Sequence, residues 1–410
     1  MSRSRIIFLV ATGLVALHVA DDSFLQPQPG TSPSDHLVSG LVPLAGLGAA
    51  VWMTARTGDG ARAAIDLLVG VFGIVAGLEA VHYAREVGPT GDDFTGLLAI
   101  PAGLTLIGLG VVTLWTTRNR DGGPARRVLR RAGIGVAAFV VFQFVVFPVA
   151  VAYVITHAAR PPVERIDLGG RDTDVRFRTS DGLRLHGSYV PSRNGAAVIV
   201  AFGRQGSQPH ARMLARHGYG VLIFDRRGEG HSDGDPNSYA WNEGELDLRA
   251  AVDFLRARPD VDPGRVGGLG LSVGGETFLQ AAAHDRRIRA VASEGAAARS
   301  FGELRSVPGS ATLTAATMAG ITAGTAVFGN ATPPPHLNDL VGRIAPRPML
   351  LIYATKGTGG EEHTFNRAFY REAGRGRSIW EIPESGHVGG LEARPREYEQ
   401  RVAGFFDRAL

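Results

Sequence analysis

The chain has 410 residues, of which 44% are hydrophobic and 20% are charged, and it contains no cysteine. The lack of cysteine excludes thiol catalysis, disulfide bonds and cysteine-ligated zinc. The formal net charge of +4 comes almost wholly from scattered arginines, with no basic stripe interleaved with aromatic side chains, so we expect no nucleic-acid partner.

Apolar residues are distributed unevenly along the chain. Nearly all of the long apolar runs precede residue 158, whereas the remainder alternates short apolar segments with polar ones, as soluble α/β domains do. We therefore predict an all-α transmembrane region over residues 1–158 and a soluble α/β domain over residues 159–410.

The N-terminal region contains five apolar runs separated by short polar loops. Most of them approach the about 20 residues that a helix needs to cross the hydrocarbon core of a membrane. The first run also resembles a signal peptide, because two arginines precede a short apolar stretch that ends in small residues. The five predicted spans are Ile6 to Ala20, Leu37 to Ala55, Ala63 to Val81, Gly96 to Trp115 and Ala132 to Ile155.

Arginines mark one side of the predicted spans. With the N-terminus in the cytoplasm, the outer loops hold only Arg85 and several acids, whereas ten arginines lie on the inner side. The positive-inside rule therefore predicts a multi-pass protein of the cell membrane, with the domain after Ile155 outside the cytoplasm. The ten arginines are Arg3, Arg5, Arg56, Arg62, Arg118, Arg120, Arg126, Arg127, Arg130 and Arg131.

The soluble part contains eight strand-like runs, and helix-like polar stretches separate most of them from the third run onward. This order predicts a mostly parallel sheet with helices on both faces, entered through an antiparallel hairpin at residues 173–190. The runs are "DVRFRTSDG", "LRLHGSYVP", "AAVIVAFG", "YGVLIFD", "RVGGLGLS", "IRAVASEG", "PMLLIYAT" and "RSIWEIPESG".

The stretch "GLGLSVGGE" admits two interpretations. Gly268, Gly270 and Gly274 lie between a strand and a helix, and Glu294 ends the next strand, as in a dinucleotide-binding fingerprint. Such a fingerprint normally opens its domain, however, whereas two strands of the parallel series come earlier here. The alternative is the Gly-x-Ser-x-Gly turn of a serine nucleophile, with Ser272 held between two glycines.

A serine nucleophile needs a histidine to accept its proton and an acid to orient that histidine. His387 follows the last strand-like run in "ESGHVGG" and is the candidate base. The loop after "PMLLIYAT" has glycine where an aspartate might be expected, so Glu361 and Glu362 are the candidate acids, with Glu294 as the alternative. The two adjacent glutamates are also suited to capping the helix that follows them.

These motifs, together with "DRRGEGHSDG", resemble those of the α/β-hydrolase-fold serine hydrolases, a broad group of esterases, lipases and peptidases. The resemblance covers residues 163 to 410 and implies acyl transfer through Ser272 without a metal or organic cofactor. It also implies an oxyanion hole formed by the backbone N–H groups of Val273 and of Arg204 or Gln205. Phe202 stands in place of the histidine that usually precedes the oxyanion loop.

Residues 296–346 are longer than a simple connection and include an apolar helix, which we interpret as a candidate lid or as a buried packing helix. The expected substrate is a small-molecule or lipid ester. Alternatives are a peptidase or acyltransferase of the same fold, a non-catalytic membrane sensor or scaffold, and a transporter that uses Glu79 within the third span. The sequence does not fix the oligomeric state.

Overall fold

The structure is a computed structural model, and it describes most of the chain. The residues outside its description are 1, 27–32, 34–36, 88–90, 92, 118–122, 158–165, 170–171, 202, 236–238, 240, 308–311 and 356. The chain divides into two compact units. The first unit comprises residues 1–161, 235–239 and 316–331, and the second comprises residues 162–234, 240–315 and 332–410.

The first unit is helical. Its N-terminal helices are α1 (Arg3–Ala20), α2 (Leu37–Thr54), α3 (Asp59–Val87), α4 (Asp93–Thr116), α5 (Pro124–Val141) and α6 (Phe147–Thr156). Helix α1 continues into a π-helical turn at Asp21–Leu25, and a second π-helical turn, Phe142–Val146, joins α5 to α6.

Within the described residues, four helical stretches are long and apolar enough to cross a membrane: Arg3–Leu25, Asp59–Val81, Asp93–Thr116 and Val128–Thr156. They coincide with four of the five predicted spans. The remaining predicted span falls on α2, whose apolar stretch Gly40–Thr54 is shorter. The prediction of a helical region of membrane-spanning character is therefore supported at the level of helix length and composition.

Glycines allow α3 and α4 to pack at close range. A Cβ atom on Gly70 would lie 2.7 Å from the carbonyl oxygen of Gly103, and one on Gly77 would lie 2.6 Å from that of Gly96. Small residues let the backbones of membrane helices approach each other, which increases their packing and dispersion contacts. Gly73, four residues before Gly77, lies on the same contact, since a Cβ atom there would be 3.3 Å from the carbonyl oxygen of Ala99.

The apolar helix in the candidate lid is α11 (Thr312–Phe328), and its residues from 316 onward belong to the first unit. A Cβ atom on Gly320 would lie 2.7 Å from Cβ of Pro148, and one on Gly324 would lie 2.6 Å from Cβ of Ala152. This part of α11 therefore packs along α6. The sequence of α11 explains this packing, because the helix carries no charged side chain and presents glycines four residues apart.

The second unit contains one eight-stranded sheet and the helices around it. The strands are β1 (Thr173–Arg178), β2 (Arg184–Val190), β3 (Ala197–Ala201), β4 (Gly220–Phe224), β5 (Val266–Leu271), β6 (Ala290–Glu294), β7 (Met349–Tyr353) and β8 (Arg377–Glu381). The helices are α7 (Gly203–Arg216), α8 (Gly244–Arg256), α9 (Val273–His284), α10 (Phe301–Ser306), α12 (Leu337–Leu340), α13 (Glu361–Glu372), α14 (Gly390–Ala393) and α15 (Pro395–Ala409).

The strand order is β1-β2-β4-β3-β5-β6-β7-β8. The hairpin of β1 and β2 is antiparallel, β2 pairs antiparallel with β4, and every later pairing is parallel. Strands β3 to β7 are buried along their whole length, because helices cover both faces of the sheet. The predicted fold class, a mostly parallel sheet entered through a hairpin, is confirmed.

The parallel arrangement brings the carboxyl ends of β5, β6, β7 and β8 to one edge of the sheet. Loops that leave this edge carry the ligand-binding and catalytic groups in open α/β folds. Ser272 follows β5, Glu294 ends β6, and Glu361, Glu362 and His387 follow β7 and β8. The fold therefore places all of these candidate residues along one edge.

Candidate active site

Ser272 occupies a sharp turn between β5 and α9. Its backbone has φ of 51° and ψ of −127°, a conformation that residues other than glycine rarely adopt. Neighbouring glycines make the turn possible, because a Cβ atom on Gly270 would lie 2.4 Å from the carbonyl oxygen of Gly274, and one on Gly275 would lie 2.4 Å from Oγ of Ser293. The Ser272 N–H donates to the carbonyl oxygen of Glu294 at 2.8 Å.

His387 lies in the turn between β8 and α14, and its imidazole reaches the serine. Nε2 of His387 is 2.8 Å from Oγ of Ser272, within ordinary hydrogen-bonding distance. The side chain is 41% exposed, so water reaches the pair. The nucleophile and the base predicted from the sequence, 115 residues apart along the chain, are thus in direct contact.

Glu362 is the candidate acid that the structure places against the histidine. Its Oε1 is 2.6 Å from Nδ1 of His387, and its Oε2 accepts a hydrogen bond from the backbone N–H of Ala354 at 3.0 Å. The carboxylate is fully buried. Its hydrogen bond raises the pKa of His387, because the carboxylate stabilises the imidazolium.

The other two candidate acids take different positions. Glu361 precedes Glu362 at the start of α13 and is half-buried, and burial raises its pKa. Glu294 directs its carboxylate to the backbone N–H of Gly390 at 2.8 Å and to the hydroxyl of Tyr398 at 2.5 Å. The dinucleotide interpretation loses its support, since the proposed ribose acid is 3% exposed and already holds two donors.

The two candidate oxyanion donors lie at the beginnings of helices. Val273 is the first residue of α9, and Arg204 is the second residue of α7, which follows β3. The first backbone N–H groups of a helix have no acceptor within the helix, so they are available to a developing negative charge. Phe202, the departure from the usual sequence, lies outside the described residues. The roles of Val273 and Arg204 stay predictions.

The turn "DRRGEGHSDG" is held by charged side chains. Arg227 donates to Asp247 at 2.7 Å and to Asp181 at 2.8 Å, while a carboxylate oxygen of Asp225 accepts from the backbone N–H of His231 at 3.1 Å. Arg227 and Asp247 are both buried. Arg227 and Asp225 therefore fix the turn after β4.

Glu276, in the first turn of α9, is an ionisable group near the site that the sequence reasoning missed. Its Oε1 accepts a hydrogen bond from the backbone N–H of Ala297 at 3.0 Å. Burial raises the pKa of Glu276 to about 7, and the group interacts electrostatically with His387. Its signal in the sequence was its position, four residues after the nucleophile and hence on the same helix turn.

The decisive observation is the combination of strand order with the positions of the turns. A serine follows β5 at a strained strand-to-helix turn, and a histidine that contacts it follows β8. The chain carries an α/β-hydrolase fold. Residues 174–347 of this α/β-hydrolase also match the model of the X-Pro dipeptidyl-peptidase family, S15.

Several curated relatives match part of the chain. The thiohydrolase aneE of Aspergillus aculeatus is 36% identical over 128 residues, which are 30% of this chain and 40% of that protein. The protein YfhR of Escherichia coli K12 is 27% identical over 255 residues, which are 58% of this chain and 81% of YfhR. The match thus spans about two fifths of the length of aneE.

Solved structures of similar fold include the α/β hydrolase GrgF from Penicillium sp., at 21% identity and a TM-score of 0.49, covering 58% of this chain and 98% of GrgF. The esterase Pf2001 of Pyrococcus furiosus has a TM-score of 0.49 at 20% identity, covering 61% of this chain and 96% of that one.

Proposed function

We propose that the chain is a membrane-anchored serine hydrolase that cleaves an ester-type acyl bond. One observation carries the proposal: the continuous hydrogen-bonded series from Ser272 through His387 to Glu362, with distances of 2.8 and 2.6 Å. The S15 family match and the similarity to the thiohydrolase aneE support the reaction class. The four apolar helical stretches support membrane anchoring.

In the first half of the proposed reaction, Nε2 of His387 accepts the hydroxyl proton of Ser272, and Oγ attacks the acyl carbon. Glu362 keeps the other imidazole proton on Nδ1 and stabilises the imidazolium that forms. The negative charge that develops on the carbonyl oxygen is met by the N–H groups of Val273 and Arg204. A backbone donor of this kind is commonly worth about 3 kcal/mol of transition-state stabilisation.

In the second half, the imidazolium of His387 donates its proton to the leaving alcohol, and the acyl group remains on Ser272. Nε2 then accepts a proton from a water molecule, whose oxygen attacks the acyl carbon. The tetrahedral intermediate formed by this attack then collapses. The bond between the acyl carbon and Oγ breaks, the acid leaves, and the imidazolium returns its proton to Oγ of Ser272. The 41% exposure of His387 gives water a path to the base.

The proposed substrate class follows from the location. The arginine bias supports a location of the hydrolase outside the cytoplasm, and the apolar helices support a tether that keeps it at the membrane. Esters of lipids, lipid-linked groups or the cell envelope are the acyl compounds that such a domain meets. We therefore propose a lipid or envelope ester rather than a coenzyme A thioester.

Fluorophosphonate labelling of the full chain in detergent micelles tests the proposal. The wild type should form one covalent adduct, and the matched variants Ser272→Ala and Ser293→Ala should separate the roles of a serine in the turn after β5 and a serine on β6. Ser293 is fully buried, so its replacement should leave labelling intact. An unlabelled wild type, or labelling that survives Ser272→Ala, would refute the serine-hydrolase assignment and favour a non-catalytic sensor or scaffold.

The second candidate is a peptidase, which the S15 match over residues 174–347 favours. The same series of Ser272, His387 and Glu362 can cleave an amide. Parallel assays with p-nitrophenyl acyl esters and an X-Pro p-nitroanilide discriminate the two. Preferential turnover of the anilide, measured as kcat/KM, would replace the ester proposal with the peptidase one.

A further inference from the structure

Glu294 contacts both turns of the candidate site. Its main-chain carbonyl accepts the N–H of Ser272 at 2.8 Å. Its side-chain Oε1 accepts the N–H of Gly390, three residues beyond His387, also at 2.8 Å. A single residue at the end of β6 therefore holds the turn of the nucleophile and the turn of the histidine.

The histidine turn contains a strained residue. Val388 has φ of 55°, in the left-handed region that β-branched side chains avoid. Such a conformation costs about 1–3 kcal/mol and persists only where surrounding contacts enforce it. The hydrogen bond from Gly390 to Glu294 is one such contact, two residues away.

Gly295, the next residue after Glu294, lies against the ring of His387. A Cβ atom at position 295 would be 3.1 Å from Cε1 of His387, and Gly295 itself has φ of 76°. A larger residue here would press on the imidazole. Glu294 and Gly295 together fix the turn and leave room for the ring.

The carboxylate of Glu294 is 3% exposed, and the hydroxyl of Tyr398 donates to its Oε2 at 2.5 Å. Nε2 of His210 is 3.8 Å from the same oxygen, but burial lowers the pKa of His210 to about 4, so that ring is uncharged near neutral pH. Two neutral donors, rather than a cation, hold the carboxylate. Removing it would leave both donors buried without their acceptor.

We propose that Glu294 is a positioning residue: its carboxylate holds the turn of residues 385–390 so that Nε2 of His387 stays within reach of Oγ of Ser272. Glu294 acts through the turn, whereas Glu362 binds the imidazole directly. The kinetic consequence rests on the proposed function. The holding of the turn is a separate, structural consequence and is tested separately.

The test compares Glu294→Ala with Glu294→Gln in the full chain, with p-nitrophenyl butyrate as substrate. The amide oxygen of Gln can still accept from Gly390, whereas Ala cannot. We expect Glu294→Ala to lower kcat by about 10–100-fold with KM changed by less than about threefold, because misplacement of a catalytic group acts on turnover. Glu294→Gln should recover kcat to within about threefold of the wild type.

Asp260 offers a matched control. Its carboxylate also accepts from a tyrosine hydroxyl, that of Tyr189 at 2.6 Å, and from a backbone N–H, that of Ser192 at 2.6 Å. It lies before β5, at the opposite edge of the sheet from Ser272. Asp260→Ala should lower the thermal midpoint and leave kcat per folded molecule unchanged.

Amide hydrogen exchange, read by mass spectrometry over residues 384–391, measures the turn without needing turnover. We expect faster exchange there in Glu294→Ala, but not in Glu294→Gln or Asp260→Ala. Unchanged exchange, or a kcat of Glu294→Ala within about twofold of the wild type, would overturn the positioning role. If the wild type neither hydrolyses the ester nor reacts with fluorophosphonate, the proposed function fails, and exchange alone decides whether Glu294 holds the turn.

Discussion

A Cβ atom built on Gly357 would lie 2.0 Å from Oε1 of Glu362. The carboxylate that binds His387 therefore occupies the space that a side chain in the loop after β7 would fill. The acid comes from the first turn of α13, and glycine at position 357 leaves room for its carboxylate.

Gly357→Ala should displace the Glu362 carboxylate and weaken its hydrogen bond to His387. We expect ester turnover to fall by about tenfold or more, since the histidine loses its orientation. Gly58→Ala is the control, because nothing lies within 4 Å of a Cβ there. Equal kcat/KM values for Gly357→Ala and the wild type would contradict the steric coupling.

Glu362→Gln should change the pH dependence as well as the rate. The hydrogen bond that His387 donates to Glu362 raises the pKa of His387, and a base acts only when neutral, so kcat/KM falls as the pH drops through that pKa. In Glu362→Gln, we expect the plateau of kcat/KM at high pH to be about 10²–10⁴-fold lower than in the wild type. The acid limb, where kcat/KM falls, should move to lower pH.

Glu361→Gln is the paired control for this profile. Its side chain neighbours Glu362 on α13, so a general effect of lost charge would appear in both variants. We expect Glu361→Gln to keep the wild-type acid limb. An acid limb that moves equally in both variants would show a general effect of lost charge, and one that moves only in Glu361→Gln would reassign the acid.

The sequence sufficed for the eight strands, because each apolar run was bounded by turn residues and the order of strands and helices allowed few topologies. It also indicated Ser272 and His387, since both lie in glycine-rich turns after strands. The choice among Glu361, Glu362 and Glu294 stayed open. It depends on which carboxylate reaches Nδ1 of His387, which is a matter of side-chain packing rather than of pattern.

The course of α11 was also beyond the sequence. Its apolar composition suits a lid and a packing helix equally well. What decided its course was a match of small residues, Gly320 and Gly324 against Pro148 and Ala152, between segments far apart in the chain. Such complementarity has no local signature.

Replacements of Ser272 should distinguish the strain of its backbone from the catalytic role of its hydroxyl. Ser272 has φ of 51°, which glycine adopts freely and alanine does not. Both Ser272→Gly and Ser272→Ala should abolish turnover, but the glycine variant should be more stable than the alanine variant by about 1 kcal/mol. Thermal unfolding in detergent measures the difference. A glycine variant less stable than the alanine variant would show that the turn is relaxed.

Glu276 should make stability depend on pH. Burial raises its pKa from 4.5 to about 7, so between these values the folded chain binds more protons than the unfolded one, and the free energy of unfolding falls as the pH rises. Glu276→Gln does not titrate. It should gain stability over the wild type by up to about 3 kcal/mol at about pH 8, and little at about pH 4. A pH-independent difference between the two thermal midpoints would rule this out.

The packing of α11 on α6 predicts a steric effect inside the first unit. Gly320→Leu should collide with Pro148 and lower the thermal midpoint, because a Cβ atom at position 320 would lie only 2.7 Å from Cβ of Pro148. Gly108→Leu on α4 is the control, since nothing lies within 4 Å of a Cβ there. Equal midpoints for the two variants would contradict this contact.

In the proposed reaction, Ser272 becomes acylated and His387 drives the transfer. Mass spectrometry of the full chain, quenched in acid during turnover of a p-nitrophenyl ester and then digested, measures this directly. We predict that the peptide containing Ser272 gains the mass of the acyl group in the wild type and gains nothing in His387→Ala. Steady hydrolysis by the wild type with an unmodified Ser272 peptide, or undiminished hydrolysis by Ser272→Ala, would contradict the account.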